Sequence, residues 1–517
     1  MSEYGFWSIA ARQPEWVALI EPDGNKLAAG ELLARSNQLV HGLRALGMQP
    51  GDCIATVLPN GAAMIELYLA AAQAGFYLTP INHHLTAAEI AYILADSDAK
   101  VFVCAKRFHD VCKAAAGEVN FPSERRFIVG GDSDGFRPYA AITRNQPETT
   151  PEDRRAGQVM NYTSGTTGKP KGVRRQLAPV DPDSVFTMFA MFLAMFGIQP
   201  ENDNVHLVGS PLYHTAVLLF AGSSLHFGHT VVLMDKWTPE SCLETIERYR
   251  VTTSHMVPTQ FHRLLALPEE IKSKYDLSSL RHMIHAAAPC PVEVKRRMIE
   301  WWGPTIYEYY AASEGGGTLV TPEEWMKYPG TVGRAWASSE VRILDESFAD
   351  CAVKQPGTVY MKLGVADFEY HKDKEKTERN RRDGFFTVGD IGYLNEQGYL
   401  FLCDRKIDMI ISGGVNIYPA EIESELLSHP KVADAAVFGV PHADWGEEVK
   451  AVIEPASGVE PGAALSEEIL AFCAARLAKY KQPKSIDFIA HMPRDPNGKL
   501  YKRKLRDPYW QGRERQI

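Results

Sequence analysis

The sequence predicts an α/β protein with a large N-terminal domain of packed α/β subdomains and a small α+β C-terminal domain. Three observations predict it. The chain has 517 residues, too many for one ordinary core, since domains run to roughly 100–200 residues. Its first half alternates helix-like and strand-like patterns, the mark of largely parallel sheets. After Leu400 the pattern changes and restarts as a compact α+β unit.

The elements follow in order. Met64, Leu67, Tyr68 and Ala71 recur at i, i+3, i+4 and i+7, one face of a helix. Lys100–Cys104 is a short apolar run and reads as a buried strand, as do Val205–Val208, His229–Met234 and His282–Ala286. A polar, proline-containing stretch, Gln146–Gln158, separates the first region from a glycine-rich loop. Beyond Asp404, strands are expected over Ala435–Val440, Glu448–Ile453 and Ser485–Ile489, with a helix over Ser466–Tyr480. A boundary near Asp404 gives domains 1–404 and 405–517. There is no internal repeat and no low-complexity segment.

Composition narrows the class. Hydrophobic residues make up 45% and charged residues 23%, as in globular proteins. The net charge of −9 repels phosphates outside any local basic patch, so no nucleic-acid partner is expected. The eight cysteines are scattered without a CxxC pair, which argues against a zinc knuckle and fits small buried side chains in a reducing compartment. The N-terminus, MSEYGFWSIAARQPEW, lacks a basic segment followed by an apolar one. No apolar run reaches the ~18–20 residues that span a bilayer. A cytoplasmic protein is expected, with peripheral membrane contact left open.

The densest local signal is Thr163-Ser164-Gly165-Thr166-Thr167-Gly168-Lys169-Pro170-Lys171. Small residues let a backbone approach phosphate oxygens, hydroxyls donate hydrogen bonds, and two lysines add charge. A generic Gly/Ser/Thr loop is a surface turn; this donor density points to a triphosphate cradle instead. It is not a Walker A loop, because Lys169 is followed by Pro170 where Ser or Thr belongs. No dinucleotide GxGxxG follows a strand. Gly222-Ser223-Ser224 fails as a hydrolase elbow, because His226 stands where the last glycine belongs.

Further motifs follow in a fixed order: Pro211-Leu212-Tyr213-His214, His285-Ala286-Ala287-Ala288-Pro289, Tyr309-Tyr310-Ala311-Ala312-Ser313-Glu314, Phe386-Thr387-Val388-Gly389-Asp390, Asp404 through Pro419, and Pro493 through Lys499. With the glycine-rich loop, these make the sequence resemble the adenylate-forming superfamily of acyl-CoA synthetases, luciferases and peptide-synthetase adenylation domains, over roughly Leu27 to Lys502. The resemblance implies an ATP- and Mg2+-dependent synthetase that joins a carboxylic acid to coenzyme A through an acyl-adenylate, releasing AMP and pyrophosphate. It gives the loop Thr163–Lys171 to the phosphates and His214 to the acyl pocket near the carboxylate. Ala287, Ala288 and Pro289 meet adenine through their backbone, and Tyr310, beside Tyr309 and Ala311, stacks on it. Ser313 becomes a phosphate-side hydroxyl, Glu314 the magnesium carboxylate, and Thr166 a second metal and catalytic residue. Asp390 grips the ribose hydroxyls and Arg405 contacts the nucleotide. Gly413 and Gly414 form the loop beside the CoA thiol arm. Lys499 enters for adenylation, and Asp404–Ile407 is the hinge about which the C-terminal domain turns. Alone, His214 reads equally as a satisfied histidine at a strand end, Gly389-Asp390 as a turn, and Lys499 as a solvated lysine.

The chain departs from the family pattern in four places. Ala311 replaces a usual glycine, Ser313 a usual threonine, Val388 interrupts the TGD form, and Ile407 stands where Asp or Lys is common. The last leaves the pivot residue open. Thr215-Ala216-Val217-Leu218 after His214 offers no carboxylate for an α-amine, so an amino-acid substrate is not expected. A ligase delivering to a carrier protein, a luciferase-like oxygenase and a non-catalytic nucleotide sensor are the alternatives. The apolar stretches Thr215–Ala221, His255–Phe261 and Tyr309–Ala312, with Gly315, Gly316 and Gly317 leaving room, favour a medium- or long-chain fatty acid. Aryl and alicyclic acids are the close alternative. Oligomeric state is not legible, a homodimer included.

Overall fold

The computed structural model describes residues 4–163, 170–201, 203–312, 315–363, 368–494, 498 and 500–511. The chain divides into two compact units: Met1–Met256 with Leu267–Ile284 and Ala366–Arg379, and Val257–Ala266 with His285–Val365 and Asn380–Ile517. The boundary expected near Asp404 falls inside the second unit, at the end of the strand Leu400–Arg405.

The first unit holds two sheets of mainly parallel strands. One runs in the order Arg137–Pro138, Arg126–Val129, Ala99–Ala105, Cys53–Val57, Tyr77–Pro80, Gln158–Val159, every pair parallel. In the other, Val205–Val208 lies between Thr230–Leu233 and Thr253–Met256, again parallel. Val17–Ile20 joins Thr230–Leu233 in parallel and carries Lys26–Ala28 antiparallel at the edge. The expected helical face at Met64, Leu67, Tyr68 and Ala71 belongs to the helix Ala62–Ala74, which is buried on all sides. An all-round apolar helix is a core helix. Its alanines allow close approach, and its Met64, Ile65 and Leu69 share one apolar core with Ile54, Leu78, Val101, Val208 and Val231 of both sheets.

The second unit adds a sheet of a different kind. Ser339–Leu344, Gly357–Leu363, Asp390–Leu394 and Leu400–Arg405 form an antiparallel sheet. Of their links, that between Leu394 and Leu400 is too short for a helical crossover. Asn395 closes it, its side-chain oxygen accepting from Gln397 N (3.0 Å) and Tyr399 N (2.9 Å). The C-terminal α+β unit is as expected. Val432–His442 and Gly446–Pro455 form a long hairpin, Ser485–Phe488 lies parallel to it, and Pro419–Leu427 and Ala463–Ala474 pack on the sheet. The helix expected over Ser466–Tyr480 starts and stops earlier. The chain turns after Ala474, which puts Leu477 in the core and Lys481 2.6 Å from Glu421. Among the described residues no helix is long and apolar enough to cross a membrane.

Candidate active site

In the first unit the phosphate loop joins two strands. Asn161–Thr163 and Lys171–Arg174 run antiparallel with Thr163 opposite Lys171. Ser164, Gly165, Thr166, Thr167, Gly168 and Lys169 lie outside the described residues. Both ends are fixed to the helix Ala87–Asp96. Tyr162 Oη donates to Asp96 (2.7 Å), and Tyr92 Oη donates to the Pro170 carbonyl (3.0 Å). Lys171 Nζ stands 3.6 Å from Asp373.

His214 caps the start of the helix Thr215–His226, just past the strand Val205–Val208. Carboxyl ends of parallel strands are where ligands bind in such sheets. Asn60, missed by sequence reasoning, pins three loops there: its amide donates to the carbonyls of Ser210 (3.0 Å) and Met234 (2.9 Å) and accepts from Leu212 N (2.8 Å). His83 was also missed. It stacks on Phe108 at 4.6 Å and meets Tyr213 edge-on at 5.1 Å, while Tyr213 lies 4.4 Å from His214. Burial pushes the His83 imidazole down to about 4, so it is neutral at pH 7. The only signal available for either was their place after a strand. The helix Thr215–His226 buries Val217, Leu218, Phe220 and Ala221. Phe220 packs 5.0 Å from His255 and stacks 6.3 Å from His206. Burial pushes both imidazoles down to about 3, so this wall carries no charge.

In the second unit three motif residues from distant segments meet. Tyr310 Oη donates to Asp390 Oδ2 (2.6 Å), and Arg405 Nε lies 3.6 Å from Asp390 Oδ1. Asp390 and Arg405 are cross-strand partners. Val388 is absorbed by the preceding turn, where Thr387 Oγ1 accepts from Gly389 N (3.0 Å) and Gly389 takes φ +85°. Tyr309 is buried and Ala311 exposed on the strand Ile306–Ala312; Ser313 and Glu314 lie outside the described residues. The loop Ala287-Ala288-Pro289 follows His285, and Ala287 holds φ +74°. A non-glycine residue there is strained, a feature that gathers at ligand sites.

Two of the three glycines Gly315, Gly316 and Gly317 have a packing role that the sequence did not show. A side chain at Gly317 would collide with the Tyr310 carbonyl and the Trp336 ring, and one at Gly316 would meet Met361 at 3.0 Å. Gly316 and Gly317 therefore also serve close packing. Gly413 and Gly414 link the strands Ile410–Ser412 and Val415–Ile417, with φ +58° and +79°. Two positive φ values in a two-residue hairpin describe a type I′ turn, which by itself favours glycine.

At the expected hinge, the Asp404 carboxylate accepts from Arg405 N (2.7 Å) and from Ala420 N (2.8 Å), at the start of the helix Pro419–Leu427. Burial, the largest influence, pushes the Asp404 carboxyl up. Lys499 lies outside the described residues. Its neighbour Gly498 packs so closely on Thr259 that a side chain would collide with Thr259 Oγ1, and φ +80° favours glycine as well. Arg494 donates to the Gly498 carbonyl (2.6 Å) and to Asp434 (2.7 Å). The short helix Pro258–Leu265 thus packs against Gly498, a contact invisible in sequence. Among the described residues no cluster of three or more His, Cys, Asp or Glu side chains is arranged to hold a metal ion.

Comparison with known proteins adds a consistent set of relatives. Residues 6–364 match the family model described as AMP-binding enzyme, and residues 421–499 match that of the AMP-binding enzyme C-terminal domain. The chain is 32% identical over 506 residues to a feruloyl-CoA synthase of an Amycolatopsis species, covering 97% of this chain and 98% of the relative. It is 31% identical over 512 residues to a long-chain-fatty-acid–CoA ligase of Mycobacterium tuberculosis, with the same coverage. Among solved structures, ATP-bound MatB from Rhodopseudomonas palustris superposes with a TM-score of 0.82 at 29% identity, over 98% of each chain.

Proposed function

Because the chain belongs to the AMP-binding enzyme family, we propose that it is an AMP-forming acid–thiol ligase that makes an acyl-CoA from a carboxylic acid, ATP and CoA. In the first half-reaction the substrate carboxylate is the nucleophile. Its oxygen bonds to the α-phosphorus of ATP, the bond from that phosphorus to the bridging oxygen breaks, and pyrophosphate leaves. In the second, the CoA thiolate attacks the acyl carbon and AMP departs with the carboxyl oxygen. Charge builds on phosphoryl oxygens in the first step, so stabilisation is mainly electrostatic. The loop Thr163–Lys171 and Lys499 supply it. Glu314 and Thr166 are hard oxygen donors that suit Mg2+; when bound, the ion adds positive charge at the triphosphate.

The observation that carries the nucleotide assignment is the meeting of Tyr310, Asp390 and Arg405. An acceptor carboxylate beside an aromatic ring and a guanidinium has the chemistry to hold a ribose and its base. Domain 405–517 turns between half-reactions, because Lys499 and the pantetheine arm compete for one site, with Gly413 and Gly414 entering for the second. The acid is apolar, a medium- or long-chain fatty acid ahead of an aryl one. Support comes from the uncharged wall of Val217, Leu218, Phe220 and neutral His206 and His255. A pyrophosphate-release screen over fatty, aryl and alicyclic acids, with and without CoA, tests this. A chain turning over only aryl acids overturns the fatty-acid choice; ADP as product overturns the class.

We place the enzyme in the cytoplasm. Peripheral contact with a lipid surface is supported by Met188, Met191 and Met195, which form an exposed stripe on the helix Pro182–Ala194 and the residue following it. Sedimentation with phospholipid vesicles checks it: a protein left in the supernatant refutes the contact.

A further inference from the structure

Among the described residues the most deeply buried ion pairs meet at Glu308. Lys295, near the start of the helix Val292–Trp302, is 0% exposed, and its Nζ lies 2.6 Å from Glu308 Oε2. Glu308 is 5% exposed. His285, also 0% exposed, brings Nε2 within 3.4 Å of the same oxygen. The ammonium stands 4.9 Å over the Trp325 ring, and Phe261 meets His285 edge-on at 5.2 Å. Burial pushes the Glu308 carboxyl up and the Lys295 ammonium down, and each charge opposes the shift of the other.

Such a cluster is a costly way to fill a core. Charges leave water at a penalty that apolar residues of similar volume avoid, so a buried pair is weak evidence for stability. A cation near a helix N-terminus also opposes the helix dipole. The position of the cluster supplies another reason for it. Glu308 immediately precedes Tyr309 and Tyr310, and His285 opens the loop that carries Ala287 at φ +74°. Lys295 lies just beyond the same loop and reaches back to Glu308.

We propose that Lys295, Glu308 and His285 are positioning residues for the adenine of ATP: the charge cluster pins the strand bearing Tyr310 to the loop Ala286–Pro289, fixing the ring and the backbone edge between which the base is held. This rests on the nucleotide assignment made under the proposed function. A buried ionic cluster suits the task because its bonds are directional, whereas apolar packing tolerates small shifts. The cluster also acts through the strained Ala287, whose backbone needs a fixed anchor at one end.

The test uses the full-length chain with Glu308→Gln, Lys295→Met and the double variant, measuring melting temperature, ATP affinity by calorimetry, and kcat/KM for ATP and GTP. Each single variant should raise KM for ATP and lower the ATP-over-GTP preference by about tenfold or more, with KM for the acid within about twofold. The double variant replaces the pair by neutral groups of similar volume. It should recover the wild-type melting temperature and still lack the preference. A double variant with wild-type melting temperature and wild-type ATP-over-GTP ratio overturns the proposal, because the pair then only fills the core. Should these variants fail to fold, Glu308→Asp keeps the charge and withdraws it by one methylene; an unchanged ratio there overturns the proposal equally. Wild-type protein that binds no ATP overturns the nucleotide assignment and this proposal together, whereas wild-type binding with unaltered variants overturns this proposal alone.

Discussion

Replacing Asp390 by Ala tests the nucleotide site most directly. The carboxylate is nearly buried, accepts from Tyr310 Oη at 2.6 Å and faces Arg405 Nε at 3.6 Å. If it grips the two ribose hydroxyls, its removal takes away two hydrogen bonds to a charged acceptor, each worth about 1.5–3 kcal/mol. The sum, about 3–6 kcal/mol, predicts a fall in kcat/KM for ATP of roughly 10²–10⁴. Tyr310→Phe leaves the carboxylate in place and breaks only the 2.6 Å bond, so it should cost a smaller factor, about tenfold to a hundredfold. The discriminating assay compares ATP with 2′-deoxy-ATP and 3′-deoxy-ATP in initial-rate pyrophosphate release. Wild type should prefer ATP over each analogue by about tenfold or more; in Asp390→Ala both preferences should collapse to within about threefold. KM for the acid should not move. An Asp390→Ala enzyme that is slow yet still rejects the deoxy analogues as well as wild type does would refute ribose recognition by this carboxylate.

Further outcomes follow from the same geometry. Lys499→Ala should slow acyl-adenylate formation by about 10²–10³, while purified adenylate plus CoA gives thioester at near the normal rate; equal loss of both half-reactions counts against a two-conformation cycle. Ala287→Gly should keep activity and raise the melting temperature slightly, because φ +74° costs an L-residue about 1–2 kcal/mol; Ala287→Val should raise KM for ATP, and a silent valine would show that the strain is incidental. Ile407 is 37% exposed, so Ile407→Asp should stay within about tenfold of wild-type turnover, whereas Ile407→Pro should be far slower; stopped-flow measurement of the two half-reactions separates them. Burial pushes His226 down to about 3, and its Nδ1 accepts from Phe6 N (3.1 Å), so it is neutral when folded. Between about pH 6.5 and 3 the unfolded chain then binds the extra proton, so this stability is complete above about 6.5 and lost as pH falls, on the order of 1 kcal/mol per unit. The melting temperature should fall from pH 7 to 5, with a shallower slope in His226→Gln; identical slopes would sink the linkage.

Much of the fold was legible because its signals are local. The runs at Val205–Val208 and Lys100–Cys104 became strands within a residue or two, since a short apolar run in an alternating chain has few other places to go. The antiparallel sheet between Ser339 and Arg405 was missed although Leu400–Cys403 is a continuous apolar run, because such a run does not by itself say how its neighbours pair. The packing role of Gly316 and Gly317 was invisible for a physical reason. A missing side chain looks the same in sequence whether the space holds a ligand or, as here, Trp336 and Met361. Asn60, His83 and Thr259 act through contacts between residues distant in the chain, and single-residue identity carries no trace of that. The same holds for Lys295 and Glu308, which alone read as an ordinary surface lysine and glutamate.

The hinge shows why one departure from a motif need not disable it. Asp404 is tied to both sides of the expected boundary. Its backbone pairs with Ile391 in the antiparallel sheet, and its carboxylate holds Ala420 N at the start of a C-terminal helix. Lys406 N donates to the Gly389 carbonyl at 2.8 Å, so the backbone is still fixed to the turn before Asp390 there. The next residue, Ile407, lies inside a tight turn that starts at Arg405, whose carbonyl accepts from both Asp408 N and Met409 N. Arg506 meets the Ile407 carbonyl at 3.4 Å and Asp408 at 3.6 Å, so that side already belongs to the C-terminal segment. The rotation proposed for domain 405–517 would break the Lys406–Gly389 bond or the Asp404–Ala420 bond, and with it the packing of Gly498 on Thr259. A typical hydrogen bond contributes about 1 kcal/mol net, small enough for a cycle that must pass both ways. The identity of residue 407 then matters less than its freedom in φ, since its side chain is partly in solvent. An isoleucine there is compatible with turning, and the bonds made by its neighbours set the cost.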